Sequence, residues 1–160
     1  MKNTTLCYIE KDGAYLLLHR VKKQADVNGG KWVGVGGHFE EGEGAEECVL
    51  REVHEETGLT LTEYRYAGRI LFKSDAWPSE VMHLFHATAF SGELLPDCNE
   101  GNLAWVDKRR ARDLPMWEGD RLFLDKLEEG APFFHMILRY EGDRLADWTV
   151  GDESLVIDGE

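Results

Sequence analysis

Hydrophobic and polar residues alternate along most of this chain in short blocks broken by turn-forming residues. Residues 5–10 and 14–20 read as strands, and Lys11-Asp12-Gly13 between them is a hairpin turn signal. Residues 21–30 form a polar loop. Lys31-Trp32-Val33-Gly34-Val35 reads as a short strand running into the Gly36-Gly37 break. Ala45, Cys48, Val49 and Val53 recur at helical spacing, so a helix is predicted over 45–57 with those side chains toward a core. Gly58 stands where a left-handed C-terminal cap is needed. Two longer strands follow at 61–73 and 81–90, separated by a loop at 74–79, and then a strand at 102–106. A second helix lies within 116–129, with Leu122, Phe123 and Leu127 toward a core. Residues 132–140 and 144–150 read as a closing hairpin around Glu141-Gly142-Asp143. Mixed strands with two helices predict helices packed on both sides of a central sheet.

Composition narrows the class. The 160 residues suit one domain, 1–160, with a sizeable core, and no repeat or low-complexity linker divides it. Hydrophobic residues make up 42%, too many for a disordered chain. No apolar run is long enough to span a membrane. The start, Met1-Lys2-Asn3-Thr4-Thr5, lacks the apolar segment of a signal peptide. Cys7, Cys48 and Cys98 are an odd number without paired spacing, which points to reduced thiols and a cytoplasmic protein. The net charge of -13 argues against long DNA or RNA as a partner. A phosphate ligand would then be met by a metal and a few local cations. The oligomeric state is left open.

The chemistry concentrates in the predicted helix. Glu52, Glu55 and Glu56 are spaced i, i+3, i+4, so their side chains share one face. Three like charges there repel unless something neutralises them. A hard divalent cation does so through oxygen ligands, and magnesium suits a few carboxylates plus substrate phosphates. Arg51 lies four residues before Glu55 and reaches back toward Glu43, so it is placed to orient carboxylates. A solvated acidic face is the usual meaning of a glutamate run. The register of the surrounding residues reverses that preference. Gly37, Glu43, Arg51, Glu52, Val53, Glu55, Glu56, Gly58 and Leu59 fit G-x5-E-x7-R-E-U-x-E-E-x-G-U, where U is a bulky aliphatic, at every fixed position.

That pattern, at 37–59, resembles the signature of the Nudix hydrolases. The resemblance implies an α/β/α sandwich around a central mixed sheet. It also implies a magnesium-dependent (or manganese-dependent) enzyme that hydrolyses a diphosphate bond in a small nucleoside-linked substrate. On the same resemblance the metal ligands are Glu52, Glu55, Glu56 and the Gly36 carbonyl. Glu100 is a further candidate, since a glutamate in this loop can approach the metal in relatives; a solvated loop glutamate is the plain alternative. The spacing does not say which carboxylate serves as the base.

A looser similarity extends beyond the signature. Gly30-Lys31-Trp32-Val33-Gly34-Val35-Gly36-Gly37, Met116-Trp117-Glu118-Gly119-Asp120 and the closing hairpin resemble the MutT-type and mammalian-type 8-oxo-dGTP diphosphatases. In the mammalian type a Trp stacks on the base and two adjacent aspartates read its edge. Trp117 and Asp120 match, while Gly119 stands in place of the other aspartate and Val33 in place of a base-contacting asparagine. Base discrimination is therefore expected to be weaker here. Trp117 as a core residue is the competing reading. Phe72 is a candidate to line the same pocket, or a plain buried strand aromatic. Lys22 and Lys23 are candidates to meet phosphates, or a solvated pair. His83 and His86 are three apart in a strand and point to opposite faces, which argues against a zinc pair. Two rival functions remain at this level: another Nudix substrate such as ADP-ribose, or a non-catalytic nucleotide-sensing module.

Overall fold

The structure is a computed structural model and describes residues 1–21, 29–96 and 101–151. Among these residues eight strands form one mixed sheet: β1 (Lys2–Lys11), β2 (Ala14–His19), β3 (Trp32–Val33), β4 (Thr60–Ser74), β5 (Glu80–Ser91), β6 (Asn102–Asp107), β7 (Phe134–Glu141) and β8 (Arg144–Gly151). Among the described residues three helices accompany them: α1 (Ala45–Thr57), α2 (Lys108–Ala111) and α3 (Glu118–Glu129). The strand order is β3-β2-β1-β5-β4-β7-β8, with β6 also on β2. β1 runs parallel to β5 and β4 parallel to β7; the other pairings are antiparallel. The turn between β1 and β2 places Asp12 and Gly13 at φ 52° and 78°, the left-handed pair that a two-residue hairpin needs.

The strand expected over 31–35 is shorter, for a topological reason. One edge of β2 is taken by β6 along its whole length. The other edge has two partners in succession: β1 at Ala14, Tyr15 and Leu16, then β3 at Leu18 and His19. The chain then leaves β2 and bonds to β1. Val35 bridges Cys7, His38 bridges Thr4, and the Phe39 N–H donates to the Asn3 carbonyl at 3.1 Å. Residues 32–39 are therefore a wedge between the strands of the opening hairpin, up along β2 and back along β1. Gly34 is its apex, where a Cβ would stand 2.7 Å from the Cys7 carbonyl oxygen.

The helices cover opposite faces because β1 and β2 alternate. Cys7, Ile9 and Leu16 face one core with Val49 and Val53 of α1. Tyr8, Tyr15 and Leu17 face the other with Phe123, Leu124 and Leu127 of α3. This is the expected α/β/α arrangement. Helix α1 begins after Gly44, whose N–H donates to the Glu47 carboxylate at 2.9 Å. It ends at Gly58, φ 81°, whose N–H donates to the His54 carbonyl at 2.9 Å. The left-handed cap is thus present as predicted. The four-residue α2 was not legible in the sequence. Asp107 caps it by accepting the Arg109 N–H at 2.8 Å.

Candidate active site

A cleft of about 650 Å³ runs between the wedge, the start of α1's acidic face and the far ends of β4, β5 and β7. Gly36, Gly37, Arg51 and Glu52 border one end. Phe72, Trp117, Asp120 and Tyr140 border the other.

At the acidic end, Arg51 is the hub. Its Nε and Nη2 meet the two oxygens of Glu43 at 2.5 and 2.9 Å. Nη1 donates to Glu52 Oε1 at 3.0 Å and to Glu55 at 3.3 Å, and Nη2 also reaches the His38 carbonyl at 3.1 Å. The guanidinium beside it holds the Glu43 carboxyl down at about 2, with help from the Glu40 N–H. The Arg51 guanidinium is pushed up in turn, chiefly by Glu43. Glu52 and Glu55 thus share a cation contributed by the chain itself.

The wedge brings its backbone to these carboxylates. Val35 and Gly37 spend their carbonyls on β1, accepting from the Cys7 N–H at 2.6 Å and the Thr5 N–H at 2.8 Å. Alternation turns Gly36 the other way. Its N–H donates to Glu56 Oε2 at 3.1 Å, and Glu56 is buried. Gly37 lies against Glu52 so closely that a Cβ there would stand 2.5 Å from Oε2. Carboxylates and a peptide group are hard oxygen donors, the set that magnesium or a similar divalent ion accepts. Among the described residues, no three His, Cys, Asp or Glu side chains already converge on one point. Arg51 stands among them instead.

The other end is aromatic. Phe72, Trp117 and Tyr140 form a three-ring cluster, with centroids 4.9 to 5.7 Å apart. Lys31 Nζ lies 4.3 Å over the Trp117 ring. Trp117 is 6% exposed, so it belongs to the core and borders the cleft at once. Asp120 is buried beside it, and burial raises its carboxyl to about 7 against the opposing pull of Arg121, Lys31 and the Tyr8 hydroxyl. The Gly119 N–H donates to the Tyr140 hydroxyl oxygen at 2.8 Å.

The structure therefore brings Arg51, Glu52, Glu56, Gly36, Phe72, Trp117 and Asp120 to one cleft or its wall. Glu55 lies at the rim with its side chain 57% exposed. Lys22, Lys23 and Glu100 lie outside the described residues. His83 bonds to Asn3 at 3.0 Å and to the Tyr66 hydroxyl, and burial lowers its imidazole to about 4. His86 bonds to Glu10 at 2.9 Å. Sequence reasoning missed Lys2, Arg20 and Tyr140 at the cleft. Tyr140 carried a faint signal, since a glycine directly before Asp120 leaves room for a neighbour's side chain.

The chain resembles known proteins in sequence and in fold. A sequence model of the NUDIX domain matches residues 2–127. The chain is 31% identical over 144 residues to the uncharacterized Nudix hydrolase YvcI of Bacillus subtilis, covering 88% of this chain and 87% of that one. It is 32% identical over 124 residues to the oxidized purine nucleoside triphosphate hydrolase of Danio rerio, covering 76% of each. The crystal structure of a MutT protein from Bacillus halodurans superposes with a TM-score of 0.84 at 28% identity, over 94% of this chain and 97% of that one. The matched span includes the whole acidic helix face and the wedge that meets it. The chain belongs to the Nudix hydrolases and is a pyrophosphohydrolase.

Proposed function

We propose that this enzyme hydrolyses purine nucleoside triphosphates to the monophosphate and pyrophosphate, with oxidised purines preferred, as a cytoplasmic cleanser of the nucleotide pool. The supporting observation is the shape of one cleft. Carboxylates and the Gly36 peptide stand at one end, and aromatic rings with a buried carboxyl stand at the other. The name of the Danio rerio relative points to the same substrate class.

Glu52, Glu55, Glu56 and the Gly36 carbonyl would hold magnesium, with Glu100 adding to the set. The ion when bound neutralises charge developing on the phosphates and lowers the pKa of a coordinated water. The protein does the rest. Arg51 fixes the carboxylates. A carboxylate takes the proton of the attacking water, whose oxygen bonds to phosphorus as the bridging P–O bond breaks and pyrophosphate leaves. Lys22 and Lys23, with Arg20 and Lys2 at the cleft, meet the phosphate charge. Trp117 and Phe72 pack against the base, and Asp120 bonds to its edge. Hydrogen bonds to a base edge discriminate more sharply than stacking, because a mismatched partner leaves buried polar groups unpaired.

A magnesium-dependent hydrolysis panel of 8-oxo-dGTP, dGTP, dATP and ADP-ribose tests this. The expected products are monophosphate and pyrophosphate, with oxidised purine first but by a modest margin, given Val33 and Gly119. Trp117→Ala should raise KM for every accepted purine. Glu52→Gln and Glu56→Gln should each cut turnover roughly a hundredfold, the loss of about 3 kcal/mol of charge stabilisation. ADP-ribose as the best substrate would overturn the nucleotide-cleansing reading while leaving the family intact.

A further inference from the structure

We propose that the Tyr140 hydroxyl, seated by the Gly119 amide, is a second polar contact to the nucleobase beside Asp120 and selects bases that present an oxo group there. This rests on the purine reading above and names a residue that reading does not use. Tyr140 borders the cleft from β7, while Asp120 borders it from the first turn of α3. The ring is fixed by Phe72 at 4.9 Å and Trp117 at 5.0 Å, so little beyond the O–H torsion is left to turn. The oxygen has accepted the Gly119 N–H at 2.8 Å. That is the only hydrogen bond it makes to the described residues that the geometry supports, and its own proton remains to be given.

The glycine is a condition of this arrangement. A Cβ at position 119 would stand 2.8 Å from the Tyr140 hydroxyl and 2.5 Å from Leu138 Cδ1. A side chain at 119 and a hydroxyl at this spot exclude each other. The polar group that helix α3 does not carry at 119 is thus supplied from the neighbouring strand. A donor in a buried aromatic setting favours a carbonyl acceptor. An amino group at the same place on the base would set donor against donor and leave both unsatisfied.

The hydroxyl also caps an early amide of α3, so a purely structural role is the competing account. Binding by the full chain separates the two. IMP and AMP differ at the six-position in an oxo against an amino group; ribose 5-phosphate lacks a base. Affinities would be measured by calorimetry without divalent ion for the wild type, Tyr140→Phe and Gly119→Ala. The expected result is that wild type prefers IMP to AMP. Tyr140→Phe should weaken IMP about tenfold, leave AMP within about twofold and leave ribose 5-phosphate unchanged. Gly119→Ala, which keeps the tyrosine but displaces its hydroxyl, should flatten the same preference. An unchanged IMP-to-AMP ratio in Tyr140→Phe, with or without a lower Tm, would overturn the inference while the purine reading stands. A wild type that binds IMP, AMP and ribose 5-phosphate equally would overturn both.

Discussion

Arg51 grips Glu43 at two points, Nε to Oε2 at 2.5 Å and Nη2 to Oε1 at 2.9 Å, across eight residues of chain. The grip ties the loop before α1 to the helix and leaves Nη1 for Glu52 and Glu55. A planar guanidinium makes this fork; an ammonium cannot. Arg51→Lys should therefore keep the charge yet lower turnover at least about tenfold, as steady-state rates at saturating magnesium would show. The tie also has a defined acid limit. Glu43 is held at about 2 against an ordinary 4.5, a lowered value, so its stabilising share is complete above about 4.5 and is lost as pH falls toward 2. Acid melts of wild type and Glu43→Gln should converge across that window, and parallel curves would sink the assignment.

Two neighbouring glycines should fail in different ways. At Gly36 an added Cβ would run into the Thr5 carbonyl on β1, which is backbone and cannot yield. At Gly37 it meets the end of the Glu52 side chain, 2.5 Å from Oε2, which can swing aside. Gly36→Ala is expected to lower Tm by several degrees. Gly37→Ala is expected to keep nearly the wild-type Tm and lose most turnover, because Glu52 is displaced. Equal melting losses in the pair would contradict this division.

Gly58→Val tests the end of α1. The residue is at φ 81°, and a Cβ would also stand 2.9 Å from the Glu93 carbonyl oxygen. Left-handed strain alone costs roughly 1–2 kcal/mol for a residue with a Cβ. The crowding adds to it, so thermal melts should show a loss larger than strain alone. A melting temperature equal to wild type would mean the cap is not needed.

The acidic end of this cleft was legible in the sequence because α1 repeats: its apolar residues keep one period and its glutamates another face. The hairpin at Asp12-Gly13 and the stop at Gly58 were legible because each needs a backbone angle that few residues adopt. The aromatic end was only half legible. Trp117, Phe72 and Asp120 were named, yet the rings of Trp117 and Phe72 pack on Tyr140, more than twenty residues away from either on strand β7. Local pattern does not encode such a contact. The same holds for Lys31 over Trp117 and for the pairing of β6 with β2. Helix α2, four residues rich in arginine, has no apolar period to read.

Asp120 gives a pH signature of opposite sign to Glu43. Its folded-state value is raised to about 7 from 3.8, chiefly by burial. Among the described residues Tyr8, Lys31, Arg121 and Tyr140 are titratable groups that act on it. Between pH 4 and 7 the unfolded chain has already released this proton and the folded chain has not, so stability falls as pH rises through that range. Asp120→Asn should remove that slope. Denaturant melts of the two proteins at pH 5 and 7.5 would measure it, and an identical pH dependence would refute the raised value.

The wedge at 32–39 links events that function alone would keep apart. Three rungs join β1 to β2 before it intervenes, and its own rungs to both strands complete the sheet at that end. Its Trp32 N–H also bonds to the Pro115 carbonyl at 2.8 Å, beside the segment that carries Trp117. The sheet therefore cannot finish zipping without also building both walls of its cavity. Maturation of the enzyme should be a single cooperative step, in which the amides of Thr5, Cys7 and Trp32 acquire protection from hydrogen exchange together.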